Sequence, residues 1–231
     1  MLILGIDNGL TVTKAVIFDA TGRVLATARR RVAQVMPQPR HVERDMEDLW
    51  RQTAAAVAEA VAACGRPARD IGAVAATAHG DGLYLLDRAG APLGPGILSL
   101  DSRAGGVAEG WVADGTAARA LARTGQMPHA SAPSAILAWL RDHDPARFAA
   151  IGHVLACKDW LTYRLTGRIG TDLTEASTAF TDVATQGFAP DIPGIFGLPG
   201  LPLPEIALPD QVVGHVTADA AALTGLAVGT P

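Results

Sequence analysis

Lysine, asparagine and cysteine are all scarce in this sequence of 231 residues. Lys14 and Lys158 are the two lysines, Asn8 is the single asparagine, and Cys64 and Cys157 are the two cysteines. The cysteines lie far apart and form no CxxC pair, which argues against a disulfide framework or a zinc site and suits a reducing cytoplasm. Because lysine is so rare, neither lysine can be dismissed as one of many surface charges.

Long basic runs and long apolar runs are missing as well. The net charge is -4, which argues against nucleic acid as the main partner. Residues 1–7 lack the basic flank and long apolar run of a signal peptide, and no stretch approaches the roughly 20 apolar residues of a membrane span. Hydrophobic residues make up 49% of the chain, enough for a large core. We therefore expect a soluble cytoplasmic protein of one or two domains, without a membrane partner.

Several well-known catalytic motifs do not occur. The sequence has no GxxxxGK(S/T) phosphate loop, no GxGxxG after a strand, no HExxH and no GxSxG. The six histidines show no metal-ligand spacing. A nucleotide site in this chain would therefore use none of these motifs.

The first third of the chain reads as strands around one helix. Short apolar runs predict strands over 2–7, 13–18, 23–31, 71–78 and 83–86. Asn8-Gly9 predicts a two-residue turn between the first two strands. Asp45 can cap a helix whose apolar positions Met46, Leu49, Trp50, Val57 and Val61 follow a helical period. Three strands in a meander, then a helix, then a strand, are typical of a ribonuclease H-like α/β fold with a mixed sheet flanked by helices.

Helices dominate the rest of the chain. We predict them over 105–122, with a break near Gly115, and over 134–142, 158–165 and 218–223, the third ending at Gly167. Residues 190–209 are rich in proline and glycine. Because Ile192, Ile195, Phe196 and Leu198 are available to pack, we expect an ordered, irregular connection there.

The first turn carries the clearest chemical pattern. Asp7 ends an apolar strand, and a glycine and hydroxyl residues follow before Lys14. Such a turn can aim backbone N–H groups at a phosphate while the carboxylate faces a magnesium ion. Taken alone, the pattern also fits an ordinary hairpin with a solvated aspartate.

Asp7-x-Gly9-x-x-x-x-Lys14 between two apolar strands resembles the first phosphate motif of the actin-like ATPase superfamily. Further motifs resemble those of the FGGY family of carbohydrate kinases, in the family's order and across essentially the whole chain. They are Glu43-Arg44-Asp45, the stretch 77–87, the stretch 98–103, Ser131-x-Pro133 with Trp139-Leu140, Lys158-Asp159-Trp160-Leu161 through Leu165-Thr166-Gly167, Thr171-Asp172 with Ala176-Ser177, Ala222-Leu223-Thr224-Gly225-Leu226, and Gly229-Thr230-Pro231. The sequences of residues 80–87 and 98–103 are most similar to those of the L-xylulose kinases, with the erythritol kinases close behind.

The resemblance implies ATP-dependent phosphorylation of a sugar or polyol, a pentulose such as L-xylulose being favoured. Residues 1–231 would be the N-terminal sugar-binding domain, with the general-base aspartate and the nucleotide-binding domain beyond Pro231, so that this chain alone should be inactive. ATP and Mg²⁺ are the implied cofactors, and a homodimer is compatible with the family. The resemblance assigns Asp7 to magnesium and catalysis, Gly9, Thr11, Thr13 and Lys14 to the phosphates, and His79, Asp81, Asp101 and Arg103 to the sugar.

The sequence also departs from the family pattern. Ile136 stands where the family usually has a lysine, and Ser99 where many members have a tryptophan that packs against the sugar. Gly80-Asp81 stands where glycerol kinases have an arginine–glutamate pair, so we expect glycerol not to be the substrate.

Other interpretations of the same residues stay open at this point. Asp101-Ser102-Arg103 could be a turn with a local ion pair, and His79 a satisfied histidine at a strand end. Asp172 and Ser177 are expected to cap backbone, and Trp50, Trp139 and Trp160 to lie in the core. The whole chain could instead be a non-catalytic sugar-binding or regulatory module of the superfamily, or an actin-like ATPase without a sugar substrate.

Overall fold

Four strands from the first eighty residues form the central sheet, in the order β3-β2-β1-β5. The computed structural model describes residues 1–231. The first three strands form an antiparallel meander, and the fifth strand lies parallel to the first. The elements of this part are β1 (Leu2–Asn8), β2 (Val12–Asp19), β3 (Val24–Arg31), β4 (Glu43–Arg44), α1 (Met46–Ala63), a 3-10 helix (Ala68–Asp70), β5 (Ile71–Ala78), β6 (Tyr84–Leu86) and β7 (Gly96–Ile97).

Helix α1 covers one face of the sheet and packs on β2 and β3. It begins where the sequence predicted, because the Asp45 carboxylate accepts a hydrogen bond from the Asp48 amide. Leu49, Trp50 and Val57 lie on the buried side of the helix, at the predicted spacing. Burying such large apolar side chains contributes roughly 1.5–3 kcal/mol each, so this face holds the helix to the sheet.

The later part of the chain is mostly helical, as expected. Gly115 and Gly167 both have left-handed backbone (φ +81° and +74°); Gly115 separates two helical segments and Gly167 ends one, where the sequence predicted a break and an end. The elements are α2 (Gly105–Ala113), α3 (Thr116–Thr124), α4 (Pro133–His143), α5 (Pro145–Ala149), β8 (His153–Leu155), α6 (Cys157–Thr166), β9 (Thr171–Asp172), α7 (Leu173–Ala176), β10 (Thr181–Asp182), β11 (Gly187–Phe188), α8 (Ile192–Ile195), β12 (Ile206–Ala207) and α9 (Ala218–Thr224).

Two apolar cores support these elements. One lies between the central sheet, α1, α6 and α9, and the other surrounds α4 and reaches the segment 192–198. Ile192, Phe196 and Leu198 are buried in the second core, which confirms that the proline- and glycine-rich connection is ordered. No helix is both long and apolar enough to cross a lipid bilayer.

The turn between β1 and β2 differs from the prediction. Asn8 pairs with Thr13, so four residues, 9–12, lie between the last paired residues of the hairpin, although Val12 already pairs with β3, and Gly9 is not in the left-handed region that a two-residue Asn-Gly turn needs. The physical reason is the asparagine side chain, which donates to the Thr53 hydroxyl at 3.1 Å in the core and holds Asn8 in the strand. Strand β8, which pairs with β6, was also missed by the sequence interpretation.

Candidate functional site

The carboxyl ends of β1 and β5 meet at one edge of the central sheet. Asp7 lies beside Thr77 in the parallel register, and the amide of His79 donates to the carbonyl of Asn8 at 2.9 Å. In open α/β sheets, ligands bind outside the carboxyl ends of parallel strands. We call the segments 7–14 and 79–82, which follow these two strands, the rim.

Asp7 and Lys14 face each other across the β1–β2 hairpin on this rim. Their carboxylate and ammonium groups lie 3.0 Å apart, and both side chains are about half exposed (50% and 47%). An exposed pair of this kind contributes only about 0–1 kcal/mol, so a ligand can separate the two groups at little cost. Both charges are therefore accessible to a ligand at the rim.

The turn 9–12 offers backbone N–H groups to an anion, but the N–H group of Gly9 is not among them. The Gly9 amide donates to the Val12 carbonyl at 3.0 Å, within the turn. The amides of Leu10 and Thr11 have no acceptor in the protein, and the Thr11 side chain is exposed. An anion at this turn would therefore meet the N–H groups of Leu10 and Thr11.

Thr13 does not belong to the accessible part of the turn. The side chain is fully buried, and its hydroxyl lies 3.3 Å from that of Thr53 in α1. The same Thr53 hydroxyl accepts from Asn8, whose amide oxygen in turn accepts from buried Arg44 at 3.4 Å. Thr13 thus belongs to a polar network that supports the turn from below. Strand alternation turns the Thr13 side chain toward α1, and the assignment of Thr13 to the phosphates stays a prediction.

Arg44 and Thr53 are supporting residues that the sequence interpretation missed. The Arg44 guanidinium also donates to the Leu10 carbonyl and thereby fixes the turn from the side of the core. The one available signal was the position of Arg44 in the motif Glu43-Arg44-Asp45, next to the helix cap. Nothing in the sequence spacing connects that motif to residues 8–13.

His79 is a neutral imidazole on the second rim segment. Its Nε2 lies 3.3 Å from the Tyr84 hydroxyl and its Nδ1 lies 3.3 Å from the Gly80 carbonyl. Burial lowers the pKa of His79 to about 4, and the nearby charge of Arg44 acts in the same direction. At neutral pH the ring can therefore donate one hydrogen bond and accept another.

Asp81 is held at the rim by an unusual backbone. Asp81 has φ +56° and Gly82 has φ +78°, so two successive residues are left-handed. A Cβ on Gly82 would lie 2.3 Å from the Ile97 carbonyl oxygen, so only glycine fits there. The Asp81 carboxylate lies 3.6 Å from His129, and partial burial raises its pKa although His129 opposes the rise. A partly exposed acceptor is thus fixed beside His79.

Asp101 and Arg103 occupy a different environment. Their side chains are 0% and 3% exposed. One Asp101 oxygen accepts from the Arg103 amide and Nε, both at 2.9 Å, and the other accepts from the Val42 amide at 2.7 Å and Arg103 Nη2 at 2.8 Å. Arg103 also donates to Glu43 at 2.6 Å. A carboxylate has about four acceptor positions, so none remains for a sugar hydroxyl.

Asp101 and Arg103 therefore form the local ion pair that the sequence left open as an alternative. They form it in the core rather than on the surface. It ties the residues after β7 to Val42 and Glu43. Arg103 also lies over Trp139, 5.3 Å from the ring centroid, and this tryptophan is only partly buried. Trp50 and Trp160 lie in the core, as predicted.

A second polar cluster surrounds Lys158. Its ammonium lies 2.7 Å from Asp159 and 3.2 Å from Asp172, and pairing with these two acids raises the lysine pKa although burial opposes it. Asp172 caps α7 by accepting from the Glu175 amide, as predicted. Burial first, and then the charge of Asp159, raises the pKa of Glu175 to about 7. No group of three or more potential ligand side chains is arranged to hold a metal ion.

The comparison with protein families decides the identity of this fold. The model for the N-terminal domain of the FGGY family of carbohydrate kinases matches residues 2–231. The chain belongs to the FGGY family.

Known proteins resemble this FGGY chain over its full length. It is 35% identical over 230 residues to a probable L-xylulose kinase of Pasteurella multocida, covering 98% of this chain and 48% of the relative. It is 37% identical over 233 residues to a glycerol kinase of Nocardia farcinica, covering 98% and 46%. The crystal structure of a xylulose kinase from Rhodospirillum rubrum matches with a TM-score of 0.93 and 32% identity, covering 100% of this chain and 48% of the other.

These matches confirm the predicted family and the actin-like ATPase fold with its mixed sheet. An erythritol kinase is also among the relatives, which agrees with the predicted branch. The FGGY chain spans about half the length of the curated relatives that it matches.

Proposed function

We propose that the full-length protein transfers the γ-phosphoryl group of ATP to a hydroxyl group of a sugar or polyol, with a pentulose such as L-xylulose as the favoured acceptor. Membership of a family of carbohydrate kinases supports the reaction class. The observation that carries the site is the meeting of two segments at one sheet edge. Asp7 and Lys14 lie on one segment, and His79 and Asp81 lie on the other.

The hairpin segment is the phosphate side of the proposed site. The N–H groups of Leu10 and Thr11 and the Lys14 ammonium would hold phosphate oxygens, in the manner of a backbone anion site. Asp7 supplies one half-exposed carboxylate. That fits Mg²⁺, which keeps several waters and is usually held by one or two carboxylates together with substrate phosphates. When bound, MgATP would supply the transferred group and neutralise charge in the transition state.

The second segment is the sugar side. The Asp81 carboxylate can accept from a sugar hydroxyl, whereas neutral His79, whose ring nitrogens lie 3.3 Å from the Gly80 carbonyl and the Tyr84 hydroxyl, would exchange one of these partners to contact the sugar. Both side chains are partly buried, so their hydrogen bonds would form in a partly desolvated place. Asp101 and Arg103 would act by positioning, through Val42 and Glu43.

The remaining parts of a kinase site would lie beyond Pro231. We place the general base that accepts the hydroxyl proton there, together with the domain that binds adenine. The relatives are about twice as long as this chain, which leaves room for both. Residues 1–231 alone should then bind sugar weakly and transfer no phosphate, since a missing general base typically costs about 10²–10⁴ in rate.

The proposal is tested by ADP release from the full-length protein with a panel of acceptors. The panel contains L-xylulose, other ketopentoses, pentitols, erythritol, glycerol and a hexose. We expect the highest kcat/KM for a pentulose. Glycerol belongs in the panel because a glycerol kinase is among the relatives. A clear preference for glycerol or a hexose would overturn the favoured acceptor, and no ADP release with any sugar would favour the non-catalytic sugar-binding module.

A matched pair of variants tests the site itself. Asp7→Asn removes the carboxylate at the rim, and Asp70→Asn removes one from an exposed pair with Arg66, 3.0 Å away, at the other end of β5. The proposal expects a large loss of kcat for the first variant alone. Equal losses of kcat in the two variants would mean that the phosphates do not bind at the rim.

A further inference from the structure

Residues 129–131, which we call the third segment, lie beside the rim in the turn directly before α4. The Gly82 amide donates to the Ser131 carbonyl at 3.0 Å, so the third segment is bonded to the residue that follows Asp81. Gly82 has left-handed backbone in a place where a Cβ does not fit. The backbone therefore holds the third segment and Asp81 in a fixed relation to each other.

His129 in the third segment faces the Asp81 carboxylate without bonding to it. His129 Nε2 lies 3.6 Å from Asp81 Oδ2. An N–H···O hydrogen bond is shorter, about 2.7–3.2 Å. The two side chains are 54% and 31% exposed, so a ligand can reach both. These two atoms therefore keep their hydrogen-bonding capacity for a ligand.

The other ring nitrogen of His129 shows where the proton of the ring lies. Nδ1 is 3.3 Å from the hydroxyl of buried Ser131. A neutral imidazole has one donor and one acceptor nitrogen. The proton is favoured on Nε2, because this nitrogen faces the Asp81 carboxylate, and Nδ1 then accepts from the Ser131 hydroxyl. Since Nε2 is also protonated in the charged ring, His129 presents an N–H donor in front of Asp81 in both forms.

A hydroxyl group suits this pair of partners. A hydroxyl has one donor and two acceptor positions, so it can accept from His129 Nε2 and donate to Asp81 Oδ2 at the same time. A separation of 3.6 Å lets one oxygen atom lie within about 2.7–3.0 Å of both atoms. A carboxylate has no proton to give to Asp81 and would be repelled by its charge. The arrangement thus selects a neutral acceptor that carries a hydroxyl at this position.

We propose that His129 is a sugar-binding residue that holds one hydroxyl group of the acceptor jointly with Asp81. The inference rests on the proposed function, which locates the sugar at the rim, and adds to it a residue that determines specificity. An acceptor without this hydroxyl leaves the His129 N–H and the Asp81 carboxylate without their shared partner. Such an acceptor should be a poor substrate, because sites built to bind a hydroxyl discriminate against analogues that lack it.

Kinetics of the full-length protein with a set of deoxy analogues test this inference. The set contains L-xylulose, or whichever acceptor of the panel gives the highest kcat/KM, and analogues that each lack one hydroxyl other than the phosphorylated one. His129→Ala should lower kcat/KM for the complete sugar about tenfold. It should leave kcat/KM nearly unchanged for one analogue, the one without the shared hydroxyl. His143→Ala is the matched control at the far end of α4, about 15 Å along the helix, and should change neither value.

A loss that is equal for the complete sugar and for all of its analogues would overturn the inference, because a merely structural histidine gives that pattern. The absence of any loss would overturn it as well. Calorimetric titration with the same sugar, without ATP, separates the inference from the proposed function. We expect His129→Ala to bind the sugar about tenfold more weakly than the parent. A parent that binds the sugar but releases no ADP would contradict the proposed function alone, whereas equal affinities of parent and variant would contradict the role of His129 alone.

Discussion

Replacing Asp101 by asparagine should destabilise this chain far more than replacing a surface aspartate. The carboxylate is fully buried and accepts four hydrogen bonds, two on each oxygen. Asparagine has the same shape but only one acceptor oxygen. Whichever way its amide turns, two donors would face an NH₂ group. In one orientation of the asparagine amide, these donors would be the amide and Nε of Arg103. In the other, they would be Nη2 of Arg103 and the amide of Val42.

The size of the effect follows from this geometry. Each unsatisfied buried donor costs about 1–3 kcal/mol. Breaking a buried ion pair by removing one partner costs about 3–5 kcal/mol, because the other charge stays buried. Arg103 keeps Glu43 as a partner at 2.6 Å, which moderates the loss. We therefore expect Asp101→Asn to lower the free energy of unfolding by about 3–5 kcal/mol, or the thermal midpoint by roughly 10 °C.

Urea unfolding of the 231-residue chain, followed by tryptophan fluorescence, measures this change. Asp70→Asn, at the exposed pair with Arg66, is the control and should change stability by less than about 1 kcal/mol. If Asp101→Asn is as harmless as the control, the carboxylate is not a structural anchor. A variant that stays stable but loses sugar binding would restore the direct sugar contact that the sequence suggested.

Three further predictions concern the rim and the Lys158 cluster. In the full-length protein, Asp7→Ala should lower kcat by several orders of magnitude with little change in sugar affinity, because magnesium acts mainly in the transition state. Equal kcat values for the variant and the parent, measured by ADP release, would show that Asp7 does not belong to the site. Because burial raises the pKa of Glu175 from 4.5 to about 7, its protonated form is favoured in the folded state, and stability should fall as the pH rises from 4.5 to 7. In urea unfolding, Glu175→Gln should be more stable than the parent at pH 8, by up to about 3 kcal/mol, and equally stable at pH 4. Equal stability of variant and parent at both pH values would refute the raised pKa of Glu175. For His79, with a pKa of about 4, an NMR titration should show a neutral ring from pH 8 down to pH 5.5 and sugar affinity unchanged over that range, whereas a midpoint near 6.5 would contradict the burial argument.

The regular elements could be predicted from the sequence because their signals are local. The helical period after Asp45 and the apolar run 71–78 placed α1 and β5 almost to the residue. Gly115 and Gly167 marked helix boundaries because the left-handed conformation suits glycine. Strand β8 was missed because its pairing with β6 is a long-range contact without a local signal.

The candidate site could be predicted only in part, for the same reason. The motif at Asp7 and Lys14 identified an exposed pair at a strand end. The burial of Asp101, Arg103 and Thr13 depends on tertiary partners such as Val42 and Thr53, which no spacing in the sequence reveals. A polar residue in a family motif can serve the ligand or the scaffold, and its hydrogen-bond partners distinguish the two roles.

The location of the sugar at the rim is tested most directly by ¹H–¹⁵N NMR shift mapping of the 231-residue chain during titration with L-xylulose. We expect the largest shifts at the amides of residues 79–82, with smaller shifts in the turn 9–12. The titration should also be repeated with the acceptor that gives the highest kcat/KM. Shifts confined to the groove between residues 72–76 of β5 and residues 208–214, with the rim unmoved for both acceptors, would contradict the proposed site.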